Sequence, residues 1–106
     1  LVLRVNMNTK RIGTILIALM LAFTGCTSLV DIYLPDSLTF IGEWCFQSIG
    51  QNTSIFIPIG VTTVQACAFA NNIGLTILCE ANKKPADWSS EWNINNCPVI
   101  WGATRP

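Results

Sequence analysis

Residues 22–46 read AFTGCTSLVDIYLPDSLTFIGEWCF, and their pattern returns further along the chain. Three dipeptides stand 23 residues apart, namely Ala22-Phe23, Cys45-Phe46 and Ala68-Phe69. Other positions keep the same step: Pro35 with Pro58, Ile32 with Ile55, Leu34 with Ile57, and Ile41 with Val64. A fixed period of roughly 20–29 residues with regularly placed apolar residues is typical of leucine-rich repeats. The sequence therefore predicts a repeat array that begins near residue 22.

The repeated unit resembles the BspA-type leucine-rich repeat family, whose units read approximately A-F-x-G-C-x-S-L-x-x-I-x-I-P-x-S-V-T-x-I-G-x-x-A-F. The resemblance rests on the G-C-T-S-L stretch at 25–29 and the I-G-E-W-C-F stretch at 41–46. Residues 75–102 also resemble the closing segment found at the C-terminus of such arrays. The resemblance implies a non-catalytic module for protein interaction or adhesion at the cell surface.

Each unit is expected to supply one short strand, in the stretches 29–35, 52–58 and 75–80. The Phe that ends each unit is expected in the core, with the small residues at 22, 45 and 68 beside it. No single unit can bury its apolar face alone, so stacking between turns must supply the core. We therefore predict an α/β fold class: a short right-handed solenoid with one parallel strand per 23-residue turn, an apolar N-terminal helix and a Trp-rich C-terminal cap.

The chain divides into three predicted segments: 1–21, the repeats at 22–81, and a closing cap at 82–106. In the first, Lys10 and Arg11 precede twelve uncharged residues at 12–23, a pattern typical of a signal peptide. The run is too short for a transmembrane helix, which needs about 20 apolar residues. Residues 7–25 are thus predicted to be helical and removed on export, or else to form a buried apolar cover on the domain.

Cys26 follows Thr24-Gly25, which resembles the lipid-attachment motif of bacterial lipoproteins. Cys26 is therefore a candidate lipidation site. Export would place the protein outside the cytoplasm, secreted or on the cell surface, with a lipid anchor if Cys26 is modified. Any association with the membrane is then expected through the N-terminal segment.

The closing segment carries three tryptophans. A short helix is predicted within 86–92, where Trp88 and Trp92 stand four residues apart and would share one helical face. A final strand is predicted within 97–102, with Trp101 alternating against Ile100. The tryptophans form either a binding platform for carbohydrate or peptide, or a cover for the open end of the solenoid, and we favour the cover.

The composition argues against an enzyme. The chain has no histidine, which removes the commonest general base and the commonest zinc ligand. The formal net charge is zero, so no basic surface for nucleic acid is expected. None of the six carboxylates (Asp31, Asp36, Glu43, Glu80, Asp87 and Glu91) forms a pair spaced for acid–base chemistry. Cys79 is expected to be a buried, unreactive thiol. We accordingly predict no catalytic residue, cofactor or metal.

What remains is a binding surface on the strands. The strand residues expected to face the core are Leu29, Ile32, Leu34, Ile55, Ile57 and Ile77. Alternation directs the other set away from the core, which gives the candidate partner-binding residues Asp31, Tyr33, Ser54, Phe56, Leu78 and Glu80. Three of them, Tyr33, Phe56 and Leu78, are predicted to form an exposed apolar ladder. A contiguous apolar patch often marks an interaction site, although cross-strand aromatic residues also stabilise sheets. The predicted partner is a protein or cell-surface ligand.

A second function class stays open at this point. The chain would then be the structural C-terminal fragment of a longer leucine-rich repeat array, with no independent activity. Further 23-residue units encoded upstream of Leu1 would favour that interpretation over an independent interaction module.

Overall fold

The computed structural model describes residues 2–4, 31–49 and 53–105. In this part of the chain the strands are β1 (Val2–Arg4), β2 (Asp31–Tyr33), β3 (Phe40–Ile41), β4 (Thr53–Ile57), β5 (Thr63–Val64), β6 (Leu75–Cys79) and β7 (Val99–Trp101). Five of these described strands form the main sheet, in the order β1-β2-β4-β6-β7, and all of its pairs are parallel. The strand order follows the chain, so the backbone winds as a solenoid.

The register of the main sheet sets the length of each turn. Ile32 pairs with Ile55, Ile55 with Ile77, and Ile77 with Val99, so successive turns take 23, 22 and 22 residues. This confirms the prediction of one parallel strand per turn, including the shorter step before β6. Pro58 follows β4 directly, as expected of a residue that cannot donate to a ladder.

The core lies against the inward face of the main sheet. Ile32, Leu34, Ile55, Ile57 and Ile77 are all 2% exposed or less, which confirms the predicted inward positions within the described residues. Leu29, expected to join them, lies outside the described residues. Each buried side chain of this size contributes about 1.5–3 kcal/mol, so the stacked strands supply the main stabilising term.

A second, smaller sheet closes the opposite side of the core. β3 pairs with β5 in parallel, with Ile41 beside Val64. Both side chains are buried, while Thr63 is partly exposed. The sequence predicted one strand per unit, so this second sheet was missed, although the 23-residue step from Ile41 to Val64 was a signal for it.

An aromatic column runs along the solenoid. The rings of Phe46 and Phe69 are stacked, with their centroids 5.4 Å apart. The Trp92 ring is nearly perpendicular to that of Phe69, with the two centroids 5.9 Å apart. Phe46 and Phe69 are at most 1% exposed, which confirms their predicted place in the core. Trp92 stands 23 residues after Phe69 and occupies the same position in the next turn.

The helix predicted within 86–92 is wrong, because this segment is a series of turns. The amide of Trp88 donates to the carbonyl oxygen of Pro85, and that of Trp92 to Ser89, both over three residues. The amide of Ser89 donates instead to Val64 of the preceding turn, at 2.8 Å. The segment therefore combines three-residue turns with one hydrogen bond to the preceding turn, in place of a helical ladder.

The three tryptophans of the last turn nevertheless form one cluster, of which the spacing predicted only the contact between Trp88 and Trp92. The ring centroids of Trp88 and Trp92 are 4.9 Å apart, and Trp101 lies within 6.0 Å of each. The indole N–H of Trp88 donates to the carbonyl oxygen of Val61 at 3.1 Å. We call residues 82–105 the terminal turn, because β7 and Trp92 continue the repeat register there; its role as a separate closing cap stays a prediction.

A buried asparagine joins the turns at one corner. The Asn72 side-chain oxygen accepts from the amide of Ile49 at 2.7 Å. Its nitrogen donates to the carbonyl oxygens of Phe46 and Phe69, at 2.8 and 2.7 Å. Asn72 thus forms hydrogen bonds with backbone groups of two successive turns. The sequence did not reveal this role, because the equivalent residue 23 positions earlier is the apolar Ile49.

The segments that follow the strands of the second sheet, which we call the corners, contain left-handed backbone. Trp44 and Cys67 have φ values of 61° and 59°, and Ser48 and Asn71 have 55° and 58°. Within each pair the residues stand 23 apart, so two left-handed residues recur at equivalent places in successive turns. This conformation costs roughly 1–2 kcal/mol for a residue other than glycine, and Asn tolerates it best.

At the N-terminal side, β1 extends the main sheet beyond β2. The helix predicted over 7–25 and the candidate lipidation site Cys26 lie outside the described residues. Among the residues that the structure does describe, none belongs to a helix long and apolar enough to cross a membrane.

Candidate functional site

The outward face of the main sheet carries a polar row at the start of the strands. Asp31 pairs with Ser54, and Ser54 with Thr76, on three neighbouring strands. The Ser54 hydroxyl donates to a carboxylate oxygen of Asp31 at 2.6 Å. All three residues are partly exposed, so the structure brings the predicted Asp31 and Ser54 together at an accessible place.

An apolar row lies two residues further along the same strands. The backbone of Phe56 pairs with Tyr33 on one side and Leu78 on the other, in the register predicted from the sequence. Ile100 of β7 continues this row beyond Leu78. Leu78 is partly exposed and Ile100 is 53% exposed, so this part of the row faces solvent. Ile100 was missed as a row member, although its strand was predicted.

The prediction that Phe56 is exposed is wrong, because its side chain is only 1% accessible. The guanidinium of Arg105 lies over the Phe56 ring, with Cζ 4.9 Å from the centroid. Arg105 also donates to the carbonyl oxygen of Leu34 at 2.9 Å and forms an ion pair with Asp36. A cation from the C-terminal end of the chain thus covers the ring on the outward face.

Arg105 reaches this place because the chain reverses after β7. The amide of Gly102 donates to the carbonyl oxygen of Ala81, and that of Ala103 to Cys79, both at 2.8 Å. Gly102 has a φ of 70°, and a Cβ there would lie 3.0 Å from the side-chain oxygen of Asn82. The reversal therefore favours glycine on both conformational and steric grounds. We call residues 102–105 the C-terminal strap.

Glu80, a predicted partner-binding residue, has a structural contact. One of its carboxylate oxygens accepts from the amide of Ile59 at 2.7 Å. The Glu80 amide itself donates to the carbonyl oxygen of Ile57. Glu80 therefore holds the turn that follows β4, and it lies beyond the end of the apolar row.

An open depression of about 510 Å³ adjoins the polar row. It is lined by Thr53, Ser54, Gly74, Leu75, Thr76 and Pro98. The Thr53 side chain is buried and donates to the carbonyl oxygen of Ile49 at 3.3 Å, so Ser54 and Thr76 provide the accessible hydroxyls. The depression adds concave surface to the start of the outward face.

Three of the four described thiols are buried, and that of Cys67 is partly exposed. Cys45, Cys67, Cys79 and Cys97 are all free. Burial raises the pKa of Cys45 to about 11, with a smaller opposing effect from a backbone hydrogen bond, and raises the pKa of Cys79 to about 12. Burial also raises the pKa of Cys97. Cys79 is 0% exposed, which confirms its predicted inward orientation.

Metal chemistry finds no support in the described part of the chain. No cluster of three or more His, Cys, Asp or Glu side chains there is arranged to hold an ion. The outward face instead offers hydroxyls, one carboxylate and apolar side chains in straight rows, which suits surface contact with another molecule.

Comparison with known families gives one match. The model of the BspA type leucine rich repeat region matches residues 9–83, in six copies. Comparison with curated proteins and with solved structures gave no match.

Proposed function

Because the chain belongs to the BspA-type leucine-rich repeat family, we propose that it is a non-catalytic interaction or adhesion module, displayed outside the cytoplasm. The observation that carries this proposal is the outward face of the main sheet. There the parallel strands place the polar and apolar rows in register, partly open to solvent. A protein or cell-surface ligand would bind across these rows.

The rows suit binding because their spacing is fixed by the backbone. Parallel strands lie about 4.8 Å apart, so equivalent side chains recur at that interval across the sheet. Asp31 and Ser54 supply hydrogen-bonding groups, and Leu78 and Ile100 supply apolar contact. Tyr33 is placed in the apolar row by its backbone register. Phe56 would contribute only after the C-terminal strap moves away.

The face is small, so a single copy would bind weakly. Each fully buried side chain of this size is worth about 1.5–3 kcal/mol before the cost of association is subtracted. Several copies on one surface would raise the overall affinity through effective concentration. Display on a cell, by export and lipidation at Cys26, would provide those copies. N-terminal sequencing of the protein from its native host tests the export step, and a mature chain that retains Met7 and stays in the cytosol would refute it.

Two exposed isoleucines provide a matched test of the face. Ile100 belongs to the apolar row and is 53% exposed, whereas Ile73 precedes β6 and is 86% exposed. The purified protein is fixed on beads and incubated with biotin-labelled surface proteins from cells of its native environment. We expect Ile100→Ser to reduce capture several-fold and Ile73→Ser to leave it unchanged. Equal capture by both variants would argue against the outward face as the binding surface.

A further inference from the structure

The contacts of Arg105 define a site for a guanidinium group. The site consists of the Asp36 carboxylate, the Leu34 carbonyl oxygen and the face of the Phe56 ring. We propose that this site, which we call the arginine seat, binds an arginine side chain from an extended segment of a partner protein. In the free protein the chain's own strap occupies it. The proposal rests on the proposed function as an interaction module and names the chemistry that the partner brings.

The chemistry of the seat selects arginine over lysine. A guanidinium is planar and carries several N–H donors in a fixed fork, so it can pair with a carboxylate, donate to a carbonyl and lie flat on a ring at the same time. A lysine ammonium is a point charge and cannot make these three contacts in one position. The seat also carries a formal negative charge from Asp36, which complements a cationic partner.

The strap is held weakly enough to be displaced. In the ion pair, the Asp36 side chain is 80% exposed and that of Arg105 is 35% exposed. Exposed pairs of this kind contribute little to stability and are screened by salt. The strap is fixed to the sheet by backbone hydrogen bonds at Gly102 and Ala103. Its advantage over a partner is mainly that it is tethered.

The position of the seat links it to the outward face. Phe56 lies in the apolar row, with Leu78 beside it and Ile100 beyond. A partner segment that crosses this row could place an arginine on Phe56 while its other side chains contact Leu78 and Ile100. Displacement of Arg105 would then add Phe56 to the contact surface, so the strap acts as a built-in competitor for the same site.

The test uses the full chain and a short peptide. The probe is fluorescein-labelled Gly-Ala-Thr-Arg-Pro, the sequence of residues 102–106, amidated at its C-terminus. Binding to the wild type and to Arg105→Gln is measured by fluorescence anisotropy. A tethered strap competes at an effective concentration of roughly millimolar. We therefore expect the peptide to bind Arg105→Gln at least about tenfold more tightly than the wild type.

Two controls identify the contacts. A peptide with lysine in place of arginine should bind Arg105→Gln at least about fivefold more weakly, because it lacks the planar fork. Adding Asp36→Asn to Arg105→Gln should also weaken binding, and raising the salt concentration should weaken it in the single variant. Thermal melting of each variant shows that the solenoid is folded, and Arg105→Ala provides a second emptied seat.

The outcomes separate the seat from the proposed function. Equal peptide affinity for the wild type and the folded Arg105→Gln, no binding to either, or equal affinity for the lysine peptide would each overturn the arginine seat. If the peptide behaves as expected but Ile100→Ser retains full partner capture, the seat stands and the wider binding face fails. If capture depends on Ile100 while the peptide does not bind, the reverse holds.

Discussion

The two faces of the main sheet are built from alternate residues of the same strands, yet they are covered in different ways. Inward residues such as Ile55 and Ile77 are 0% exposed because the next turn stacks on them and the second sheet closes over them. Outward, Phe56 is equally buried, and the guanidinium of Arg105 from the C-terminal strap lies over its ring. The inward cover is part of the stacked turns, whereas the outward cover, under the proposed arginine seat, would be exchanged for an arginine of a partner.

The largest expected effect comes from the inward aromatic column. Phe46→Ala removes a ring stacked on Phe69 and leaves a cavity that the rigid turns cannot fill. Loss of a buried Phe costs about 3–5 kcal/mol, enough to unfold a small array. Urea or thermal unfolding monitored by circular dichroism measures the loss. Phe46→Leu, which keeps most of the volume, serves as the control and should remain folded; similar stability for Phe46→Ala and wild type would show that the column is not essential.

The inward polar contact gives the second test. Asn72→Ala leaves the amide of Ile49 and the carbonyl oxygens of Phe46 and Phe69 without this side chain. A buried unsatisfied group costs about 1–3 kcal/mol, so we expect a total loss of about 2–4 kcal/mol in the free energy of unfolding.

Asn95→Ala is the matched control for Asn72→Ala. Asn95 also accepts a hydrogen bond from a backbone amide, that of Asn71 at 2.6 Å, but it is exposed. Water can replace that contact, so the change should stay below about 1 kcal/mol. Equal losses for the two variants would mean that the burial of Asn72 adds nothing to its importance.

The outward face should respond less to truncation than the aromatic column. Phe56→Ala loses the burial of one ring, worth about 1.5–3 kcal/mol. We expect little additional loss of stability from a cavity, because the Arg105 side chain of the C-terminal strap can move into the space that the ring leaves. Parallel unfolding experiments on Phe56→Ala and Phe46→Ala give the comparison directly. A loss for Phe56→Ala as large as that for Phe46→Ala would mean that the two faces are equally fixed.

The buried thiols predict a loss of stability at alkaline pH. Burial raises the pKa of Cys79 from 9.0 to about 12, so the folded state keeps a proton that the unfolded state releases above pH 9. The contribution of this thiol to the free energy of unfolding is then fully present below pH 9 and declines as the pH rises toward 12. At pH 10 the decline from this thiol is about 1 kcal/mol. Urea unfolding between pH 7 and 10 should show a shallower decline for Cys79→Val; the same slope as in the wild type would exclude the thiol as its cause.

The smallest expected effect is at the corners, away from both faces. Ser48 adopts a left-handed φ of 55° without the tolerance that Asn71 has at the equivalent place. Ser48→Gly should relieve this strain and raise the free energy of unfolding by about 0.5 kcal/mol, after the entropy cost of glycine. Asn71→Gly should raise the free energy of unfolding by less, because Asn already tolerates this conformation. A melting temperature lowered by Ser48→Gly would show that the serine side chain matters more than the backbone.

The sequence predicted the inward face far better than the outward one. Inward residues repeat at 23-residue steps, so the alternation around Ile32 and Ile55, and the core position of Phe46, could be read directly. The contact of Arg105 with Phe56 could not be predicted in this way. It depends on the chain reversal at Gly102 and on Arg105, which has no equivalent in the earlier turns. Local alternation reports which way a side chain points; it carries no information on what the end of the chain places above it.

The terminal turn shows a second limit. Trp88 and Trp92 stand four apart, which is the spacing of a helical face, and this suggested a helix. Trp92 also stands in step with Phe69, and the structure follows this longer period. In a stacked array, hydrogen bonds to the preceding turn compete with a local helical pattern. An example is the bond that the Ser89 amide donates to the carbonyl oxygen of Val64.

The strand order of the main sheet has a mechanical consequence. Because the strands follow one another in chain order, β1 and β7 lie at opposite edges of the sheet. A pulling force applied between these two strands would load the outermost strand first and peel the strands away one at a time. Each step would break only the few hydrogen bonds between two short neighbours, so the array would yield gradually under tension and could rewind strand by strand when the load is released.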